Sequence, residues 1–141
     1  VAFEAGRLML NRINELMNSG TDFAFETTLA TRSYVSFIHK AREAGYKITL
    51  VYIWLASVEE AKARVAARVS KGGHNIPGEV IERRYYRGIH NLLYLYRQIC
   101  DYWVVLNNSG GMTNYIADGE RNISELIYNA DIWNRIKEQG L

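Results

Sequence analysis

The run Lys-Ile-Thr-Leu-Val-Tyr-Ile-Trp-Leu at residues 47–55 constrains the fold more than any other part of the chain. It is apolar, β-branched and aromatic almost throughout, without the alternation of a half-wetted strand. A continuous run of this kind predicts a strand buried on both faces, as in a parallel sheet covered by helices. The apolar stretch at 48–56 falls far short of the about 20 residues that a membrane-spanning helix needs, and no longer one occurs.

The segments around this run alternate in type. Residues 1–18 place Phe3, Leu8, Leu10, Ile13, Leu16 and Met17 at roughly helical spacing, and Ser19-Gly20 stops the pattern. Residues 22–29, with Phe23-Ala24-Phe25, read as a short buried strand ending in polar residues. Residues 31–44 carry Val35, Ile38 and Ala41 on one helical face, with Gly45 suited to the C-terminal cap. Ser57-Val58-Glu59-Glu60 has the capping-box pattern and opens a helix reaching about Ser70. After a loop, Pro77 suits the first turn of a helix running to about Cys100. The apolar stripe of that helix is Ile81, Tyr85, Ile89, Leu92, Tyr96 and Ile99. Residues 102–106 read as a second short buried strand. Gly110-Gly111 turns the chain into an antiparallel edge strand at 112–117, and Asp118-Gly119 supplies another turn. Residues 124–138 read as a terminal helix. This order predicts one α/β domain over residues 1–141, with a mainly parallel sheet flanked by helices.

Composition excludes several classes. The charged fraction of 23% is that of a folded domain. The net charge of +2 is too small to imply nucleic acid or an acidic membrane as partner. Cys100 is the single cysteine, so neither an internal disulfide nor a thiolate metal cluster can form, which fits a reducing cytoplasm. His39, His74 and His90 show no metal-ligand spacing with a carboxylate pair. No Gly-x-Ser-x-Gly elbow and no Gly-x-x-x-x-Gly-Lys-Ser/Thr phosphate loop occurs in these residues. Residue 1 is valine and already reads as helix in progress, so the expectation is a fragment with an upstream part.

In α/β sheets the ligand sits beyond the carboxyl ends of the strands, which directs attention to the loops there. Glu26-Thr27-Thr28 follows an apolar segment: a carboxylate that can accept from a substrate hydroxyl, and two hydroxyls for phosphate or sugar. The plainer alternative is a strand that ends at water. Arg64, Arg68, Lys71, His74, Arg83, Arg84 and Arg87 flank Gly72-Gly73, a pattern that fits a lid over residues 64–87 closing on a polyphosphate. Arginine suits this because its planar fork binds phosphate oxygens bidentately and stays charged. Solvated helix faces, with Glu60, Glu79 and Glu82 as partners, are the alternative. Asn107-Asn108-Ser109-Gly110 either contacts a base or ribose or is simply a turn.

Taken together, Phe25-Glu26-Thr27-Thr28-Leu29, Arg64-Val65-Ala66-Ala67-Arg68-Val69, Gly72-Gly73-His74-Asn75-Ile76-Pro77, Ile81-Glu82-Arg83-Arg84-Tyr85 and Leu106-Asn107-Asn108-Ser109 resemble the zeta-toxin family of P-loop kinases over about residues 1–110. The resemblance implies a P-loop NTPase-like fold and phosphoryl transfer from ATP or GTP with Mg²⁺ to a small-molecule acceptor. Well-known members use UDP-N-acetylglucosamine as that acceptor. It also implies an antitoxin protein as a partner. Carried over residue by residue, it makes Glu26, Thr27, Thr28 and Arg32 substrate-binding. It makes Arg68 and Arg84 the catalytic lid arginines, and Lys71, His74, Arg83, Arg87, Asn107 and Asn108 nucleotide-binding. Arg83 and Arg84 remain alternatives for the one lid position. The family's P-loop lysine, magnesium-binding Ser/Thr and catalytic aspartate lie upstream of the matching segment. The expectation is therefore the C-terminal part of such a kinase, lacking the P-loop strand and poorly active alone. A non-catalytic module that binds nucleotide, nucleic acid or antitoxin is the competing expectation.

Overall fold

The computed structural model describes residues 2–121 and 123–141. The expected helical role of Val1 lies outside them. In chain order the elements are α1 (Ala2–Asn18), α2 (Val35–Glu43), β1 (Thr49–Trp54), α3 (Val58–Ser70) and α4 (Gly78–Asn91). A π turn (Leu92–Tyr96) and α5 (Arg97–Ile99) continue α4 without a break. Then come β2 (Tyr102–Asn107), a 3₁₀ turn (Ser109–Gly111), β3 (Asn114–Glu120), β4 (Ser124–Ile127) and α6 (Ala130–Gln139).

The α/β class holds, but the sheet is mixed rather than mainly parallel. Its order is β1-β2-β3-β4, with β1 parallel to β2 and the two remaining pairs antiparallel. The physical reason is connection length. The stretch of chain from β1 to β2 includes helices, which permits a parallel crossover, whereas short turns join β2 to β3 and β3 to β4 and force reversal. Asp118 and Gly119 lie inside β3 rather than in a turn, and β3 is interior because β4 covers its outer side. Residues 124–127, expected to be helical, form that extra strand, and Asn129 then caps α6 by accepting from the Ile132 N–H at 3.1 Å.

Residues 22–29 form no strand. Phe23 stacks edge-on against Tyr46 and Phe25 lies against Tyr34, while the backbone makes no ladder. A strand needs a neighbour to bond with. Among the described residues β1 pairs on one side only, with β2.

The core collects on one face of the sheet. Trp54 from β1, Trp103 and Val105 from β2 and Ala117 from β3 meet Ile89, Leu92, Leu93 and Tyr96 of the long helix, with Trp133 and Ile136 of α6. Each such fully buried large side chain contributes roughly 1.5–3 kcal/mol. Arg97 closes the rim, stacked over Trp103 and Trp133 and paired with Glu125. Gly119 belongs here for want of space: a Cβ would come within 2.8 Å of the Trp103 ring.

The opposite face contradicts the expectation of two-sided burial. Val51 and Ile53 are 54% and 56% exposed, and Tyr115 and Leu126 are exposed on the same side. The double-sided apolarity of residues 47–55 is therefore real in sequence but only half used among the described residues.

Several acids in this fold are held protonated. Burial pushes the Cys100 thiol from 9.0 up to about 12 and the Tyr85 hydroxyl from 10.0 up to about 12. Donation to Asp118 pushes Tyr102 up to about 12 as well. Between pH 9 and 12 the folded chain thus holds more protons than the unfolded one. The associated stability is complete below pH 9 and is lost as pH rises toward 12. The expected outcome is a urea midpoint steady from pH 7 to about 8.5 that falls progressively above pH 9. Cys100→Ala and Tyr102→Phe should each flatten the fall.

Candidate functional site

The basic residues of the sequence part company in three dimensions. Arg83, Arg84 and Arg87 lie on α4 and line one open cavity of about 240 Å³. Its other walls are Thr28, Ala30 and Thr31, from the irregular segment between α1 and α2. Arg83 and Arg87 are one helical turn apart and exposed, while Arg84 is half-buried. None of the three makes an ion pair among the described residues. Like charges at that spacing cost a few tenths of a kcal/mol. Three unpaired guanidinium groups beside two threonines therefore form a site that an anion would relieve.

The threonine segment is shaped by contacts with the same long helix. Leu29 is buried with a positive φ of 61°. The Asn91 amide donates to the Leu29 carbonyl at 2.7 Å, and the Tyr96 hydroxyl donates to the Thr31 carbonyl. Local bonds shape the rest: the Thr27 hydroxyl accepts from the Leu29 N–H, and that of Thr31 accepts from the Ser33 N–H. Thr27 and Glu26 are exposed at the start of this segment and Arg32 at its end, none of them lining the cavity.

The remaining candidates lie elsewhere. Arg68, Lys71 and His74 are exposed at the end of α3 and in the loop after it, and they do not line the cavity. The Gly72-Gly73 pair ends α3 rather than leaving it loose. Gly72 has φ 96° and donates to the Val69 carbonyl, and Gly73 donates to the Arg68 carbonyl at 2.8 Å. Arg64 is spent on structure: it donates to the Asn108 carbonyl at 3.0 Å and approaches Glu60. Asn107 accepts from the Ser109 N–H and Asn108 from the Thr113 hydroxyl, the bonding of a turn. The Ser109 hydroxyl completes it, donating to Glu60 and accepting from the Ala56 N–H.

Thr31, Gly88 and Asn91 did not stand out as site residues in the sequence. A glycine inside a helical pattern was a usable signal for Gly88. Nothing in the spacing distinguished Asn91.

A larger cavity of about 380 Å³ opens beside β3 and β4, where Glu120 and Glu125 sit with Arg97 and Arg121. Its charges compensate one another, so it lacks the one-signed character of the arginine cavity. Among the described residues no group of three or more His, Cys, Asp or Glu can hold a metal, and no helix is long and apolar enough to cross a membrane.

A family model described as Zeta toxin matches residues 1–118. The chain belongs to the zeta-toxin family. The match takes in α1 to β2, including the threonine segment and all three cavity arginines. An uncharacterized protein of Haemophilus influenzae (strain ATCC 51907 / DSM 11121 / KW20 / Rd) is 33% identical over 82 residues. That alignment covers 58% of this chain and 59% of the relative's own length. No solved structure matches.

Replacing Ser109 should test the turn assignment. Ser109→Ala removes a donor to Glu60 and an acceptor for Ala56, and is expected to cost about 1–2 kcal/mol in urea denaturation. Anion binding at the arginine cavity, which Ser109 does not line, should be unchanged.

Proposed function

We propose that the chain serves nucleotide-dependent phosphoryl transfer, and that Arg83, Arg84 and Arg87 grip phosphate oxygens in the cavity they share with Thr28 and Thr31. The observation that carries this reading is the convergence of three guanidinium groups, unpaired among the described residues, on one cavity. Family membership points to a nucleotide-dependent, kinase-like function and supports it. Phosphoryl transfer asks the protein chiefly for positioning and for neutralising charge that spreads over the phosphoryl oxygens. Half-buried Arg84 suits that task, since a partly desolvated guanidinium acts more strongly on nearby charge than an exposed one. Arg83 and Arg87 hold the flanking oxygens. Arg68 at the end of α3, with Lys71 and His74 in the loop after it, closes over the nucleotide as a lid.

The acceptor proposed is a small molecule with a free hydroxyl. A UDP-amino sugar is the candidate the family resemblance supplies, with Glu26 accepting from its hydroxyl and Thr27 and Arg32 beside it. ATP or GTP is the donor. The cavity lining is cationic and carries no carboxylate, so it does not fit a magnesium ion. The Mg²⁺ implied by the family resemblance therefore has no ligand set in this cavity. Asn107 and Asn108 are bonded within their turn, and a role toward the base would use their backbone rather than their amides.

A second reading has one observation of its own. The exposed apolar face bearing Val51, Ile53 and Leu126 favours a chain that also binds protein, an antitoxin included. It leaves the arginine cavity unexplained and is therefore secondary.

Titration calorimetry with inorganic tripolyphosphate and with ATP tests the proposal directly. Arg84→Ala is expected to weaken binding 10- to 100-fold, about 1.5–3 kcal/mol for a charge-assisted contact. Arg12→Ala, at an exposed position of α1, should change nothing. In the absence of anion Arg87→Ala should be as stable as the parent or slightly more so, because it relieves repulsion with Arg83. Equal, small losses of affinity in the Arg84 and Arg12 variants would sink the assignment.

A further inference from the structure

The threonine wall of the cavity has no regular structure of its own, yet it is held in a costly conformation. Leu29 carries φ 61°, where a side-chain-bearing residue is strained, and its side chain is 4% exposed. Such a conformation persists only where its surroundings over-determine it. Here three carbonyls within four residues of the segment, those of Thr28, Leu29 and Thr31, meet one helix. The Thr28 carbonyl lies so close to Gly88 that a Cβ there would come within 2.5 Å of it. The Leu29 carbonyl accepts from Asn91, and the Thr31 carbonyl accepts from Tyr96.

The π turn makes that alignment work. Residues five apart stand about 140° around an α-helix, so Asn91 and Tyr96 would face different neighbours. The wider i→i+5 ring of the turn at Leu92–Tyr96 swings them toward one side. Asn91 is also, among the described residues, the polar side chain found buried, at 7% exposure. A buried amide there needs a reason, and its bond to a strained carbonyl between two cavity-lining threonines supplies one.

We infer that Asn91 is the positioning residue of the anion site: by holding the Leu29 carbonyl it fixes Thr28 and Thr31 opposite Arg83, Arg84 and Arg87. The inference rests on the phosphate-binding reading above. Asn91 touches no ligand and acts through the backbone it holds. Gly88 permits the approach, and Tyr96 anchors the far end of the segment.

Asn91→Asp separates this role from general support of the core. At pH 8 the introduced carboxylate has no proton to donate to the Leu29 carbonyl. At pH 5.5 burial, opposed by Arg87 one turn back on the same helix, raises the protonated fraction so that the carboxyl donates again. Every affinity for tripolyphosphate is taken relative to the parent at the same pH, which cancels titration of the probe. The expected result is a loss of at least 10-fold at pH 8, recovering to within about 3-fold at pH 5.5. Asn91→Leu should lose binding at both pH values. Amide exchange at Ala30 and Thr31 should quicken in Asn91→Asp at pH 8 without any ligand. Tyr96→Phe, a milder change, should weaken binding about 3-fold and keeps the test decisive if the Asn91 variants unfold.

Parental affinity in Asn91→Asp at pH 8, or in Tyr96→Phe, overturns the inference. So does a loss in folded Asn91→Asp that is equal at both pH values. If those results come while Arg84→Ala still abolishes binding, the anion site stands and only the role of Asn91 falls. If the parent chain itself binds no tripolyphosphate, the phosphate reading fails and the inference with it.

Discussion

The long helix running from Gly78 to Ile99 lies against one face of the sheet, and almost everything else is placed by it. Its inner stripe, Ile89, Leu92, Leu93 and Tyr96, is essentially water-free and meets Trp54, Trp103 and Val105. Its outer turns carry Arg83, Arg84 and Arg87. The same rigid body therefore anchors the core and presents the cations. Their spacing is set by helix geometry rather than by a loop, which suits a site that must hold charge in place.

The other half of the cavity has the opposite character. Thr28 and Thr31 come from a segment without ladder or helix bonds, and their placement is borrowed from the helix through Gly88, Asn91 and Tyr96. The π turn is the device that allows one helix to do both tasks. It changes the facing of Tyr96 relative to Asn91 while the apolar stripe continues beyond it.

The sheet shows how far one-sided packing can carry a fold. Its helix-covered face contains the whole cluster of large buried side chains, whereas Val51 and Ile53 look outward. The residues that make β1 so legible in sequence are apolar on both faces, and the described chain uses one. Tyr102, Asp118 and Tyr128 tie the open face together by hydrogen bonds, which lends rigidity where packing is absent.

Much of the local structure was legible in the sequence because it depends on near neighbours. Ser57 caps α3, Gly45 ends α2, the apolar period of the long helix marks its buried stripe, and residues 49–54 of the 47–55 run form a strand. These follow from backbone conformation and side-chain period, which a linear pattern records. The zeta-toxin resemblance was likewise written in local blocks. Strand pairing was not legible: residues 22–29 lack a ladder partner and residues 124–127 find one, and partnership is a property of distant chain. The same holds for the site. The arginines were visible as a basic cluster, but only the tertiary structure divided it, spending Arg64 on a turn and leaving three guanidinium groups to share a cavity with Thr28 and Thr31. Sequence determined which charges and caps exist; long-range packing decided which of them face one another, because a side chain's partner depends on how elements far apart in the chain come together.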